Sequence, residues 1–436
     1  MPMRLSSRSA ALFATAALAM TVAACGDDDE GSSGASGTGA ATTATTGGGG
    51  GKDVKTGPGV TGTTINLGVL TDTSGVFAGL GVPLNEGNQL FWTIQNRKGG
   101  VCDRTVKLDV KDHGYDPQKA VSLYREVGPQ SLALNQLLGS VMTAALIPTL
   151  QKDKMLSVLA GWPSQLLENP NIIVVGATYD LEMINAVDYL VEEGKLKKGD
   201  KVGHIYFEGE FGENALEGSK YAAEKQGLTI VEQKIKATDR DMSAAVGTFK
   251  NEGVKAILMS TSPTQTASAA GVAAATGLNV PIGASGPAFD PALLKTPAAK
   301  ALEANLVVSA GTAPYSLDAP GVTEMRDNYL KEFPKGTPKY SIAAGYAESR
   351  IMYEILNKAC ENGDLTREGM QTAVRQLDGL DLDGLVAGTL SYKELGVPPS
   401  KAVYISTVDT KADGGLKVDG AARTSTNAEA YEVGGS

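Results

Sequence analysis

The sequence predicts an α/β protein: two doubly wound parallel-sheet lobes joined by a three-crossover hinge. From Thr64 onward, short apolar runs alternate with longer stretches of helical period. Those apolar runs are nearly continuous, as expected for parallel strands covered by helices on both faces. About 370 ordered residues also exceed what one core usually supports, so two lobes are expected.

The elements follow in order. A buried strand at 65–70 leads to a helix over about 83–97, and a second strand occupies 106–110. Asp116-Pro117 supplies a cap and a first-turn proline for a helix running to about 127. Strand 132–138, helix 143–151, strand 156–159 and the apolar run 172–175 complete the first series. The pattern restarts with helix 181–193, strand 202–207, helix 213–226, strand 229–233 and helix 242–251. Strand 256–260, helix 264–276 and strand 280–283 end that half, and a helix spans 346–360. Ligands in open parallel sheets sit beyond the carboxyl ends of the strands. Two such sheets facing each other form a cleft that can close on a small molecule.

Composition narrows the function classes. Hydrophobic residues make up 42% and charged residues 20%, ordinary for a protein with a real core. Net charge is 39 − 49 = −10, which argues against a basic surface for nucleic acid. The two histidines, His113 and His204, and three cysteines leave little material for a transition-metal site or a Ser-His-Asp triad. No HExxH, CxxC or complete GxSxG pattern occurs, since Gly283-Ala284-Ser285-Gly286 is followed by Pro287. Neither a metal nor a cofactor is expected. His113, just past a strand, reads as a loop residue, and His204 as a core histidine.

The start of the chain reads as an address. Arg4 and Arg8 precede an apolar run over 10–24, too short for a lasting membrane helix, so residues 1–24 read as a secretion signal. Val22-Ala23-Ala24-Cys25-Gly26 resembles a bacterial lipobox, which implies lipidation at Cys25 and anchoring on the extracytoplasmic face of the cell membrane. Residues 25–58 are acidic and then rich in Gly, Ser, Thr and Ala, a flexible tether that cannot offset its ordering entropy. The glycines before Lys52 do not form a phosphate loop, because Asp53 stands where Ser or Thr is needed.

Several stretches of the body carry a resemblance. These are Gly68-Val69-Leu70 with Thr73-Ser74-Gly75, Asn96-Arg97-Lys98-Gly99-Gly100-Val101, and Asp112-His113-Gly114-Tyr115-Asp116-Pro117. Phe211-Gly212-Glu213 and Gly388-Thr389-Leu390-Ser391-Tyr392 complete the ordered set. In order and spacing the sequence resembles the substrate-binding proteins of branched-chain amino acid ABC transporters, the leucine-binding-protein type with the type I periplasmic-binding fold. The resemblance implies hinge crossings near Gly176, Ala310 and Lys401. Lobe one then spans 60–176 and 311–400, lobe two 177–310 and 401–420, with a flexible tail at 421–436. It also implies a monomer that captures a small ligand and docks on an ABC transporter permease. A ligand sensor acting through a separate receptor and an enzyme are the competing readings.

The resemblance places ligand contacts as well. Family members bind the ligand carboxylate with a serine at the position of Ser140, where a strand end meets a helix start and backbone N–H groups favour an anion. Ser140 or Thr143 suits simple helix capping equally. Ala160-Gly161-Trp162 follows the next strand, where the family supplies backbone groups and a hydroxyl; Trp162 replaces that hydroxyl residue, as an aromatic wall or as loop packing. Phe211 stands where the family often places an aromatic that closes over the ligand, a position that core packing also explains. Ser262 and Ser285 fall at strand ends facing the cleft. Ser285 takes the place of the carboxylate that holds an α-ammonium, and Leu80 that of a usual tyrosine. A buried ammonium without a charge partner is costly, so the pocket suits a carboxylate, an amide or an aromatic acid as readily as an amino acid. Asp72, Glu208, Glu210 and Asp290 are acids able to restore the charge, though each also reads as solvated or capping. Tyr346 is within possible reach of the cleft or packs in its helix.

With Cys25 lipidated, Cys102 and Cys360 remain, an even count in a compartment that permits disulfides. Cys102 precedes a strand, and Cys360 ends a helix running away from the cleft. Both are expected at the base of lobe one, bonded to each other.

Overall fold

The computed structural model describes residues 54–433. The secretion signal, Cys25 and most of the tether therefore lie outside the described residues. The first series is β1 (Lys55–Thr56), β2 (Thr64–Thr71), α1 (Ala78–Arg97), β3 (Thr105–Asp112), α2 (Pro117–Val127), β4 (Ala133–Leu138), α3 (Ser140–Asp153), β5 (Ser157–Ala160) and β6 (Ile172–Ile173). The second is α4 (Tyr179–Glu192), β7 (Lys201–Phe207), α5 (Glu210–Gln226), β8 (Thr229–Ile235), α6 (Ser243–Glu252), β9 (Ala256–Ser260), α7 (Pro263–Ala275), β10 (Ile282–Ser285), α8 (Ala299–Asn305) and β11 (Leu306–Ala310). The chain closes with α9 (Pro320–Glu332), α10 (Tyr340–Glu361), β12 (Asp364–Leu365), α11 (Arg367–Val374), β13 (Tyr404–Val408), β14 (Leu416–Val418) and α12 (Thr426–Ala430).

A five-stranded parallel sheet has the order β3-β2-β4-β5-β6. From β2 the chain crosses one way to β3 and then the other way to β4. Right-handed crossovers therefore put α1 on one face and α2 and α3 on the other. α10 packs along α1, so these two helices cover the first face together, while α2 and α3 touch on the second. Asp116 caps α2 by accepting the N–H groups of Gln118 and Lys119 at 2.8 and 3.2 Å, with Pro117 in the first turn.

A seven-stranded sheet has the order β14-β13-β11-β10-β9-β7-β8. β7 to β11 run parallel, but β13 is antiparallel to β11, and β14 to β13. The expected parallel sheet is thus present, with an antiparallel return at one edge. The turn between β13 and β14, with Gly414 and Gly415 at positive φ, folds the last strands back as a hairpin. The chain passes between the two sheets three times: after β6, after β11 and before β13.

Two segments expected to be loose are ordered. Lys55 and Thr56, assigned to the tether, pair in parallel with Asp364 and Leu365. The segment from residue 421, assigned to a flexible tail, is docked as far as Tyr431. Val403 and Arg423 exchange backbone hydrogen bonds of 2.8 and 2.9 Å, and Tyr431 packs edge-on against Tyr221 at 4.8 Å. Lys401 Nζ donates to the carbonyls of Glu429 and Tyr431 at 2.6 and 3.0 Å. Both segments are held by backbone pairing, which a polar composition does not reveal.

Cys102 and Cys360 form a disulfide with Cα atoms 6.3 Å apart. It ties the turn before β3 to the last turn of α10, across a separation of 258 residues. Closing a loop of that length stabilises the fold by about 5 kcal/mol in the chain-entropy account. His204 is a core residue: Nδ1 lies 2.9 Å from Ser219 Oγ and Nε2 3.0 Å from Ser260 Oγ. Burial lowers its pKa to about 3, so it is neutral. Nδ1 of the buried His113 accepts the Tyr115 N–H at 3.0 Å and helps shape the loop after β3.

Candidate ligand-binding site

Helix starts and strand ends from both sheets converge on one cavity. β4 contributes Leu138, the turn Gly139, and α3 its first residue Ser140. Ala160 ends β5 with Trp162 just beyond it, and the segment after β10 adds Pro287. Phe77, Leu80 and Leu84 come from the start of α1, Tyr179 and Phe211 from the starts of α4 and α5, and Tyr340, Ser341 and Ala344 from the start of α10. Tyr115, in the loop between β3 and α2, completes the lining around about 550 Å³ of empty space, counting the part open to solvent. Gly139 has φ +96°, and a Cβ there would lie 2.1 Å from Met142 Cε and 2.9 Å from the Tyr115 ring. Glycine thus lets Tyr115 close one wall.

The walls are mostly aromatic. Trp162 lies 5.9 Å from Tyr179 between ring centroids, and Tyr179 lies 4.4 Å from Phe211. Phe77 contacts Tyr115 at 4.9 Å and, from the other sheet, Phe207 at 6.1 Å. Trp162 Nε1 donates to the Leu159 carbonyl at 2.8 Å, which fixes the indole. Asp72 holds the turn that presents Phe77. Its carboxylate accepts the N–H groups of Ser74, Gly75 and Phe77 at 3.2, 2.5 and 2.9 Å.

None of the lining residues is Asp, Glu, Lys, Arg or His. The polar groups facing the cavity are hydroxyls. Burial raises the pKa of Tyr115, Tyr179 and Tyr340, so all three phenols stay neutral. Ser140 and Ser341 are 2% and 1% exposed, and the Oγ of each lacks a protein partner. Ser140 is the first residue of α3 and Ser341 the second of α10, and the N-cap residues Gly139 and Lys339 make no side-chain cap. A buried hydroxyl left unpaired costs about 1–3 kcal/mol, so these groups point to a guest with oxygen atoms.

Of the residues singled out in the sequence, Leu80, Ser140, Ala160, Trp162 and Phe211 line this cavity. Thr143 does not; its hydroxyl donates to the Gly139 carbonyl at 3.0 Å within the first turn of α3. Gly161 packs against Ser140, where a Cβ would press at 3.3 Å on both its N and its Oγ. Ser262 Oγ bonds Gln265 in the first turn of α7, and Ser285 Oγ lies 3.3 Å from Ser260 Oγ, both away from the cavity. Tyr346 packs inside lobe one, its hydroxyl donating to Glu324 at 3.1 Å. The four candidate acids are likewise absent from the lining: Asp72 is saturated by backbone donors, Asp290 pairs with Lys339, Glu208 is exposed, and Glu210 starts α5. Sequence reasoning missed Phe77, Tyr115, Tyr179, Tyr340 and Ser341. Their signal was position: each stands at or just before the first turn of a helix, which follows a strand end or a crossing for Phe77, Tyr115 and Tyr179 and follows α9 for Tyr340 and Ser341.

Two sets of polar contacts join the sheets around the cavity. Asn214 Nδ2 donates to Ser164 Oγ at 2.7 Å and Asp180 Oδ2 at 3.0 Å, and Ser164 Oγ donates to Asp180 Oδ2 at 2.6 Å. This buried cluster ties the loop after Trp162 to the starts of α4 and α5. On another side, Lys339 Nζ lies 2.7 Å from Asp290 Oδ2 and 3.0 Å from the Gly79 carbonyl. Among the described residues there is no cluster of metal ligands, and no helix is long and apolar enough to cross a membrane.

Comparisons with known proteins agree with this architecture. Residues 64–415 match the family model described as periplasmic binding protein. A fatty acid ABC transporter substrate-binding protein from Thermomonospora curvata is 43% identical with a TM-score of 0.84, covering 87% of this chain and 97% of its own. A branched-chain amino acid ABC transporter protein from Thermus thermophilus with bound valine shares the fold at 18% identity and TM-score 0.74, covering 84% of this chain and 98% of its own. So does a solute-binding protein from Rhodopseudomonas palustris BisB5 in complex with 3,4-dihydroxybenzoic acid, at 20% identity and TM-score 0.69, covering 83% and 97%. No curated protein matches the chain.

Proposed function

Because the chain belongs to the periplasmic binding protein family, we propose that it captures an apolar carboxylic acid, of the fatty acid type, and delivers it to an ABC importer. The observation that carries this reading is the uncharged, aromatic lining with an unpartnered Ser140 hydroxyl at the start of α3. A carboxylate placed there would accept the hydroxyl and the free N–H groups of the first helical turn, favoured by the helix dipole. An apolar tail then fills the aromatic remainder, where each buried methylene contributes about 0.8 kcal/mol. An α-amino acid fits poorly, since no lining carboxylate pairs with its ammonium. The 43% identical relative is a fatty acid ABC transporter substrate-binding protein, which supports the same class.

In this proposal lobe one comprises 60–176 and 311–400, and lobe two 177–310 with the segment from 401. Ligand that bridges them stabilises the closed form, whose outer surfaces dock on a permease. The protein acts as a monomer on the extracytoplasmic face, anchored through Cys25.

The chain has two tryptophans, Trp92 and Trp162, and Trp162 alone lines the cavity. Titration of ligand-stripped protein with decanoic acid should give a saturable change in tryptophan emission that Trp162→Phe abolishes. A flat titration of the native protein would refute the assignment.

A further inference from the structure

The cavity has two polar ends. Ser140 opens α3, which shares a face of the five-stranded sheet with α2. Ser341 lies in the first turn of α10, which packs along α1 on the opposite face. The cavity therefore spans the carboxyl edge of the sheet, from one helix layer to the other, with an unpartnered, fully buried serine hydroxyl at each side. At the α10 side the 22-residue helix offers first-turn N–H groups without a side-chain cap. The rest of the lining is mostly apolar, with Leu80, Leu84, Leu138, Ala160, Trp162 and Phe211 beside the phenols of Tyr115 and Tyr179.

We infer that the preferred ligand is an apolar acid carrying a second oxygen function at its far end, the carboxylate at Ser140 and the distal oxygen at Ser341. This rests on the ligand reading above and narrows it. A plain alkyl terminus against the α10 pole would close over the Ser341 hydroxyl and strip it of water without giving it a partner. A distal hydroxyl restores that hydrogen bond. The Lys339–Asp290 pair, adjacent in sequence to Tyr340 and close to Pro287, lies by this same pole.

The test is calorimetric titration of the purified protein with decanoic acid and with ω-hydroxydecanoic acid. The ω-hydroxy acid should bind about fivefold more tightly, the worth of one net hydrogen bond. Ser341→Ala should erase that preference by weakening ω-hydroxydecanoic acid and tightening decanoic acid binding, with an unaltered circular dichroism spectrum. Equal affinities in the native protein overturn the inference without any variant, as does a preference that survives Ser341→Ala. Binding of neither acid overturns the ligand reading itself and this inference with it, whereas equal tight binding of both overturns only the inference.

Discussion

Lys339 Nζ reaches across the cleft to Asp290 Oδ2 at 2.7 Å, and the same ammonium takes the Gly79 carbonyl at 3.0 Å. That carbonyl is free because the residue four positions on, Pro83, has no N–H to give it. A proline inside α1 thus creates an acceptor for a lysine before α10, and the lysine binds an aspartate of the other lobe. Both partners are largely buried, with side chains 20% and 7% exposed.

An ion pair that joins the two sheets' segments is expected to hold the closed form. Removing one partner leaves the other charge in a poorly hydrated site, a cost that the open form escapes by rehydration. Asp290→Asn should speed ligand release about tenfold, measured by stopped-flow displacement, with association little changed. An unaltered release rate would show that the pair does not hold the cleft.

Ser140 gives an acid a charge-assisted hydrogen bond and an alcohol a weaker neutral one. Ser140→Ala should weaken decanoic acid binding about twentyfold and decanol about fivefold, as measured by competition titration. Equal losses for both ligands would place the serine in packing alone.

Glu182, on α4, is fully buried beside the crossing after β11. Burial raises its pKa to about 8 against the opposing hydrogen bonds from the Gly311 and Gly286 N–H groups, with nearby Asp180 adding to the rise. A carboxyl whose folded pKa exceeds its unfolded value makes the folded state bind the extra proton. Stability is then fully present below about pH 4.5 and falls as pH climbs toward 8. Glu182→Gln should flatten that fall and melt above the native protein at pH 8, a gain of roughly 3 kcal/mol. Parallel pH profiles for the two proteins would contradict the assignment.

Cys102–Cys360 lies at the base of lobe one, far along α10 from the cavity. Replacing both cysteines by alanine should lower unfolding stability by about 3–5 kcal/mol in denaturant titration, with decanoic acid affinity retained. Two reactive thiols in the unreduced, unfolded native protein would rule the bond out.

The βα alternation was legible because continuous apolar runs and Asp-Pro capping are local signals, and α2 begins where Asp116-Pro117 announces it. β13 and β14 were not, because an antiparallel return is decided by the turn at Gly414-Gly415 and by partners far away in sequence. Ser140 was found by its place between a strand end and a helix start together with the family resemblance, and Phe211 by the resemblance. Tyr340 and Ser341 were missed because the helix there was read as starting at Tyr346; Lys339 stands at the N-cap position, with no Ser, Asp or Asn to signal the true start. Ser285 and Ser262 failed as cavity residues because position after a strand does not fix where a short side chain points.

The most direct test is calorimetric titration of one ligand-stripped preparation with decanoic acid and with leucine. Saturable binding of decanoic acid and none of leucine is the predicted result. Tight leucine binding without decanoic acid binding would contradict a cleft that holds its guest without any charged side chain.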